Sequence, residues 1–80
     1  MYTVVIVDDE IGSYNMLQNF IKARIPYLTV TGCFSDSTEA LSYLSHHNTD
    51  VVITDIKMPG LDGIELTRRL REENVNSKII

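Results

Sequence analysis

A single cysteine, Cys33, is all the thiol chemistry this chain holds, so no internal disulfide can form and a reducing cytosol is its natural compartment. Basic side chains are scarce as well. Seven Lys and Arg stand against eleven Asp and Glu, giving a net charge of -4 and a pI near 4.9. Gripping a phosphate backbone needs a basic face, so direct nucleic-acid binding by this segment is not expected. Long apolar runs are missing too. The longest is Val4 to Val7, far short of the roughly 20 residues a helix needs to cross a bilayer. With no basic start and an abrupt stop at Asp8-Asp9-Glu10, it does not read as a signal peptide, and no membrane association is expected. No linker or low-complexity stretch appears. What remains is 80 residues, 44% hydrophobic and 22% charged: one small, acidic, cytoplasmic globular domain.

The apolar residues fall into alternating short strand and helix patterns. Thr3 to Val7 is β-branched throughout and reads as a strand buried on both faces. Tyr14, Leu17, Ile21 and Ile25 then recur at helical spacing, with Met16 and Phe20 widening the stripe. Pro26 ends that helix, because the residue before a proline is pushed out of helical geometry. Thr29 to Phe34 is a second strand. Asp36 and Glu39 have capping-box spacing, opening a helix that turns Ala40, Leu41 and Leu44 inward and ends near His46-His47. Val51 to Thr54 repeats the grammar of the first strand. Asp62 and Glu65 repeat the capping spacing ahead of Ile64, Leu66 and Leu70, and Lys78-Ile79-Ile80 begins a fourth strand. This alternation implies right-handed βαβ units, hence an α/β fold with a parallel sheet and helices on both faces.

Val4-Val5-Ile6 and Val51-Val52-Ile53 are identical triplets, each followed by one residue and an Asp. If the second strand lies outside the first, in the doubly wound order 2-1-3-4-5, the first and third strands become neighbours. Their carboxyl ends then flank the switch point where such sheets bind ligands, and Asp8, Asp9 and Asp55 converge there. Each acid alone has a plain account: Asp9 and Glu10 suit a helix N-terminus, and Asp55 a loop after a strand. Their joint placement at the ends of two matching strands argues for a site. Like charges 4 Å apart repel by roughly 4 kcal/mol at an effective dielectric of 20, which calls for a protonated carboxyl or a cation. Hard oxygen ligands in this number suit Mg²⁺, and a divalent ion beside a free carboxylate permits that carboxylate to attack phosphorus.

Val4-Val5-Ile6-Val7-Asp8-Asp9-Glu10, followed by Val51-Val52-Ile53-Thr54-Asp55-Ile56-Lys57-Met58-Pro59-Gly60-Leu61-Asp62-Gly63, resembles the receiver domain of bacterial two-component response regulators. The resemblance implies the flavodoxin-like (CheY-like) fold, of which residues 1–80 would form three βα units and the start of strand 4, roughly two-thirds of a five-stranded sheet. It implies that Asp55 is the phosphoacceptor for a sensor histidine kinase. Asp8 and Asp9 match the acidic pair that holds Mg²⁺, with Asp55 and the backbone carbonyl of Lys57 completing the metal site. Met58-Pro59-Gly60 matches the pocket rim. The Thr or Ser after strand 4 and the Lys after strand 5 that contact the phosphoryl group in this family have no counterpart here, and Lys78 is not that Lys. The resemblance further implies a longer parent protein with a DNA-binding output domain that controls transcription. The opening acidic motif and the helix after it are compatible with regulators of the AraC type.

Four roles compete. A signalling receiver that is not a metabolic enzyme leads. A degenerate receiver that binds a partner without phosphorylation is the alternative. A phosphohydrolase similar to haloacid dehalogenases carries a second Asp two residues after the first, where this chain has Lys57. A flavin binder would find Asp8-Asp9-Glu10 where its phosphate loop belongs. The fourth strand, only begun, would leave a sheet edge open to self-association. His46 and His47 are expected to serve a helix C-terminus, Cys33 to act as a small buried hydrophobe, Gly60 and Gly63 to serve backbone geometry, and Tyr14 and Tyr43 to pack.

Overall fold

Each strand of the computed structural model takes its place in the sheet from how much of it is apolar. The structure describes residues 1–56, 60–73 and 75–80. The elements run β1 (Tyr2–Val7), α1 (Ile11–Arg24), β2 (Leu28–Phe34), α2 (Ser37–His46), β3 (Val51–Thr54), α3 (Gly63–Glu72) and β4 (Lys78–Ile79). The sheet is parallel, in the order β2-β1-β3-β4. β1 is central because Val4 to Val7 are all buried and can be covered on both faces. β2 alternates, exposing Thr29 and Thr31, and takes the edge. Its pairing to β1 slips between Val4 and Val5, where Val30 and Gly32 are the partners and Thr31 is the extra residue. An interrupted edge of this kind is a poor template for another strand.

The period of two along β1 divides the core into two layers. Val5 and Val7 meet Val52 and the inner faces of α2 and α3, namely Ala40, Leu44, Leu66 and Leu70. Val4 and Ile6 face the other way, onto Ile21 of α1 with Tyr14, Leu17 and Ile25 beside it. The expected widening of the α1 stripe does not occur. Met16 is 74% and Phe20 53% exposed, because the layer is served by the positions that share Ile21's side of the helix and these two lie round from it. Phe20 sits under the Arg24 guanidinium, 5.8 Å from the ring centroid, instead. Ile64 of α3 likewise faces out, and the buried stripe there is Gly63, Leu66 and Leu70.

The helix ends follow the sequence with two adjustments. Asp62 caps α3 by accepting from the Glu65 amide at 2.9 Å, while Asp36 caps α2 through the Thr38 amide at 2.8 Å. Both are ordinary N-cap bonds. Neither glutamate is seen completing a capping box: the Glu65 carboxylate is taken by Arg68 and Arg69. At the other end of α2, the Nδ1–H groups of His46 and His47 donate to the carbonyls of Ser42 and Tyr43. Those bonds satisfy two carbonyls of the last turn. Tyr14 and Tyr43 both pack, Tyr43 between Phe34 and His47. Cys33 is half-buried against the α1 layer, where burial raises its thiol pKa.

Candidate metal and phosphoacceptor site

The backbone brings the three aspartates together before any side chain is considered. β1 and β3 pair in register through Val7 and Thr54, so the next residue of each strand emerges at the same level. The last rungs tie these residues to the neighbouring strand: the Asp55 amide donates to Val7 O at 3.0 Å and the Asp8 amide to Phe34 O at 2.9 Å. β2 and β3 lie on opposite sides of β1, so the chain reverses direction across the sheet at this point, where doubly wound folds bind their ligands.

Side-chain bonds then fix the orientation. Asp8 Oδ1 accepts from the Glu10 amide at 2.9 Å, turning the chain into α1. Glu10 occupies the N-cap of α1 without a side-chain cap bond. Asp55 Oδ1 accepts from the Ile56 amide at 2.8 Å, and its carbonyl accepts from Thr54 Oγ1 at 3.0 Å. One carboxylate oxygen from each of Asp8, Asp9 and Asp55 lies within 4.8 Å of the others, with Asp8 half-buried and the other two exposed. Beside Asp9 a recess of about 300 Å³ is lined by Ser35, Thr38, Gly60 and Leu61. Ser37 Oγ donates to the Leu61 carbonyl and anchors that side of the loop to α2.

Three carboxylates at this spacing repel one another. Each pair is worth about 0.9 kcal/mol at the dielectric of water and about 3.5 kcal/mol at an effective dielectric of 20. The donor set fits Mg²⁺: all-oxygen, and close to the roughly 2.9 to 4.2 Å separating ligand oxygens of an octahedral ion with bonds near 2.1 Å. Lys57, whose carbonyl the family resemblance adds to this set, and the rim residues Met58 and Pro59 lie outside the described residues.

Two features of the site were not resolved by sequence pattern. The Ile56 amide and the Thr54 hydroxyl both hold Asp55, and only the Thr immediately before the Asp hints at the second. Gly60 has a φ of +76°, the conformation its residue type suggested. Gly63 has no such φ; its α-carbon lies against the Asp55–Ile56 backbone.

The fold and site together are those of a parallel doubly wound sheet with three aspartates at its switch point. The family model of the response regulator receiver domain matches residues 4–80, and the chain belongs to that family. It is 41% identical over 68 residues to the cyclic di-GMP phosphodiesterase response regulator RpfG of Xanthomonas campestris, covering 85% of this chain and 18% of that protein. It is 34% identical over 77 residues to the positive alginate biosynthesis regulatory protein of Pseudomonas aeruginosa, covering 96% of this chain and 31% of that one. Among solved structures, the response regulator domain of Thermotoga maritima CheB superposes with a TM-score of 0.89 at 28% identity, over 99% of this chain and 57% of that chain. RcsB of Salmonella enterica bound to promoter DNA gives 0.88 at 29% identity, over 99% and 41%. The chain thus spans under a third of these two curated relatives. The described residues hold no helix long and apolar enough to cross a membrane.

Proposed function

We propose that this chain is a Mg²⁺-dependent phosphoacceptor module that takes a phosphoryl group from the phosphohistidine of a sensor kinase onto Asp55. The observation that carries the reading is the convergence of Asp8, Asp9 and Asp55 within 4.8 Å at the ends of adjacent strands. Asp55 stands at the end of the central strand pair, exposed, with Oδ1 engaged by the Ile56 amide. Its other oxygen is the nucleophile: it forms the new O–P bond while the P–N bond to the donor imidazole breaks and the imidazole nitrogen keeps the electron pair. Asp8 and Asp9 would hold the cation beside it, with the Lys57 carbonyl as the further ligand that the family resemblance implies. When bound, that ion neutralises charge on the transferring oxygens. The Glu10 amide holds Asp8 through Oδ1, and one Asp8 oxygen lies in the cluster with Asp9 and Asp55.

The chain acts as a switch rather than a metabolic enzyme, in the cytoplasm, within a longer protein whose output domain binds DNA and controls transcription. RcsB, solved on promoter DNA, supports an output of that kind. The test is the intact mass of the folded chain after incubation with Mg²⁺ and acetyl phosphate, beside Asp55→Asn. One phosphoryl adduct on wild type, dependent on Mg²⁺ and absent from the variant, is expected. A chain that melts cooperatively yet gains no adduct would refute the reading in favour of a partner-binding scaffold.

A further inference from the structure

We propose that Gly63, the first residue of α3, is a positioning residue for the Asp55 carboxylate; the proposal rests on Asp55 being the phosphoacceptor. The requirement at this position is for space, since the one glycine with a positive φ among the described residues is Gly60. A Cβ on Gly63 would lie 2.1 Å from the Asp55 carbonyl oxygen, and 3.0 Å from both Asp55 C and Ile56 Cα. All three are backbone atoms, which cannot swing aside as a side-chain tip does.

The same residue grips the acceptor in a second way. The Gly63 amide donates to Ile56 O at 2.9 Å, and the Ile56 amide donates to Asp55 Oδ1 at 2.8 Å. Two hydrogen bonds therefore link the start of α3 to the carboxylate through the backbone of Ile56, one at its carbonyl and one at its amide. The helix cannot retreat readily, because Leu66 and Leu70 are wholly buried in the layer beneath it. The Asp55 side of that layer is fixed less firmly: beyond the rung to Val7 O, Asp55 and Ile56 are exposed loop. Relief of the clash therefore shifts Asp55 by close to 1 Å relative to Asp8 and Asp9. Reacting groups displaced by about that much lose on the order of 10²-fold in rate.

The test compares Gly63→Ala with Gly12→Ala, a helical glycine whose Cβ would meet nothing within 4 Å. With acetyl phosphate as donor, Gly63→Ala is expected to slow phosphoryl uptake at least tenfold and to raise the Mg²⁺ concentration for half-maximal rate. Gly12→Ala is expected to change neither. In metal-free protein, hydrogen exchange at Ile56 and at residue 63 should accelerate at least tenfold in Gly63→Ala while the amides of Val5 and Val52 keep their rates. Uptake within twofold of wild type overturns the proposal. So does acceleration spread evenly over the sheet with an unchanged Mg²⁺ half-saturation, which is the mark of general destabilisation. Should Gly63→Ala fail to fold alone and in the Gly12→Ala background, wild-type exchange decides: Ile56 and Gly63 amides must open together with Leu66, and independent opening of Ile56 rejects the clamp. If wild type gains no adduct, the phosphoacceptor reading fails while the metal-free exchange still reports on the contact.

Discussion

Neutralising Asp9 should stabilise the metal-free fold. Asp9→Asn deletes two of the three carboxylate repulsions in a cluster whose oxygens lie within 4.8 Å. Asp9 is exposed, so the dielectric of water is the relevant limit, at about 0.9 kcal/mol for each pair and about 1.7 kcal/mol for two. At 0.01 M salt the Debye length is about 30 Å and screening removes little of this. One effect opposes it. Asp9 precedes the N-terminus of α1, where a negative charge is worth about 0.3 to 1 kcal/mol. The repulsion wins by about 1 kcal/mol, which in a domain of this size raises Tm by about 4 to 8 °C. The assay is thermal melting followed by circular dichroism in EDTA, then with increasing Mg²⁺ at ionic strength matched with NaCl. A ligand that binds the folded state adds stability as its concentration rises, so wild type should gain more from Mg²⁺ than the variant and the gap should close. If Asp9→Asn melts at or below wild type in EDTA, or if the gap ignores Mg²⁺, the three carboxylates do not form a coupled cation site.

Three further outcomes follow from packing and charge. Leu66→Ala removes a side chain with no exposure and should cost about 2 to 5 kcal/mol in urea denaturation, whereas Ile64→Ala, two residues away and 69% exposed, should stay within about 0.5 kcal/mol. The buried Thr49 hydroxyl has no hydrogen-bond partner among the described residues, so Thr49→Val should leave stability unchanged or raise it by up to about 1 kcal/mol; a loss above that value would reveal a partner for the hydroxyl. Hydrogen bonds from Arg68 hold Glu65 at a pKa of about 2, well below its ordinary 4.5. A carboxylate whose folded pKa is depressed contributes stability that is present above the unfolded value and lost as pH falls through the folded one. The stability difference between wild type and Glu65→Gln should therefore be flat above pH 4.5, shrink between pH 4.5 and 2, and diminish in high salt because both partners face solvent.

The parts of this molecule that were legible in sequence are those in which one physical requirement acts alone. A strand buried on both faces must be apolar throughout, so Val4 to Val7 and Val51 to Ile53 announce the two central strands. Two such strands ending in Asp needed only the order of the sheet to place Asp8, Asp9 and Asp55 together, and the observed β2-β1-β3-β4 order supplies it. Where two requirements compete, residue type stops deciding. Met16, Phe20 and Ile64 are as apolar as the core, yet each sits on a helix whose buried side is already filled by Ile21 or by Leu66 and Leu70, so hydrophobicity does not separate them. Asp50 shows the converse. It looks like one more loop acid, but its Oδ2 accepts from the Thr3 amide at 2.8 Å while its own amide donates to Thr3 Oγ1 at 3.1 Å, joining the starts of β1 and β3. That bracket sets the register of the two strands from the end opposite the acid cluster. Because a one-residue slip would turn every β3 side chain to the other face, the pairing that aligns Asp55 with Asp8 is guarded at both ends: by Asp50 and Thr3 where the strands begin, and by the Asp55 rung to Val7 where they end. The alignment of the carboxylates is thus a property of the strand pair, and two of the residues that secure it, Thr3 and Asp50, lie a full strand length away.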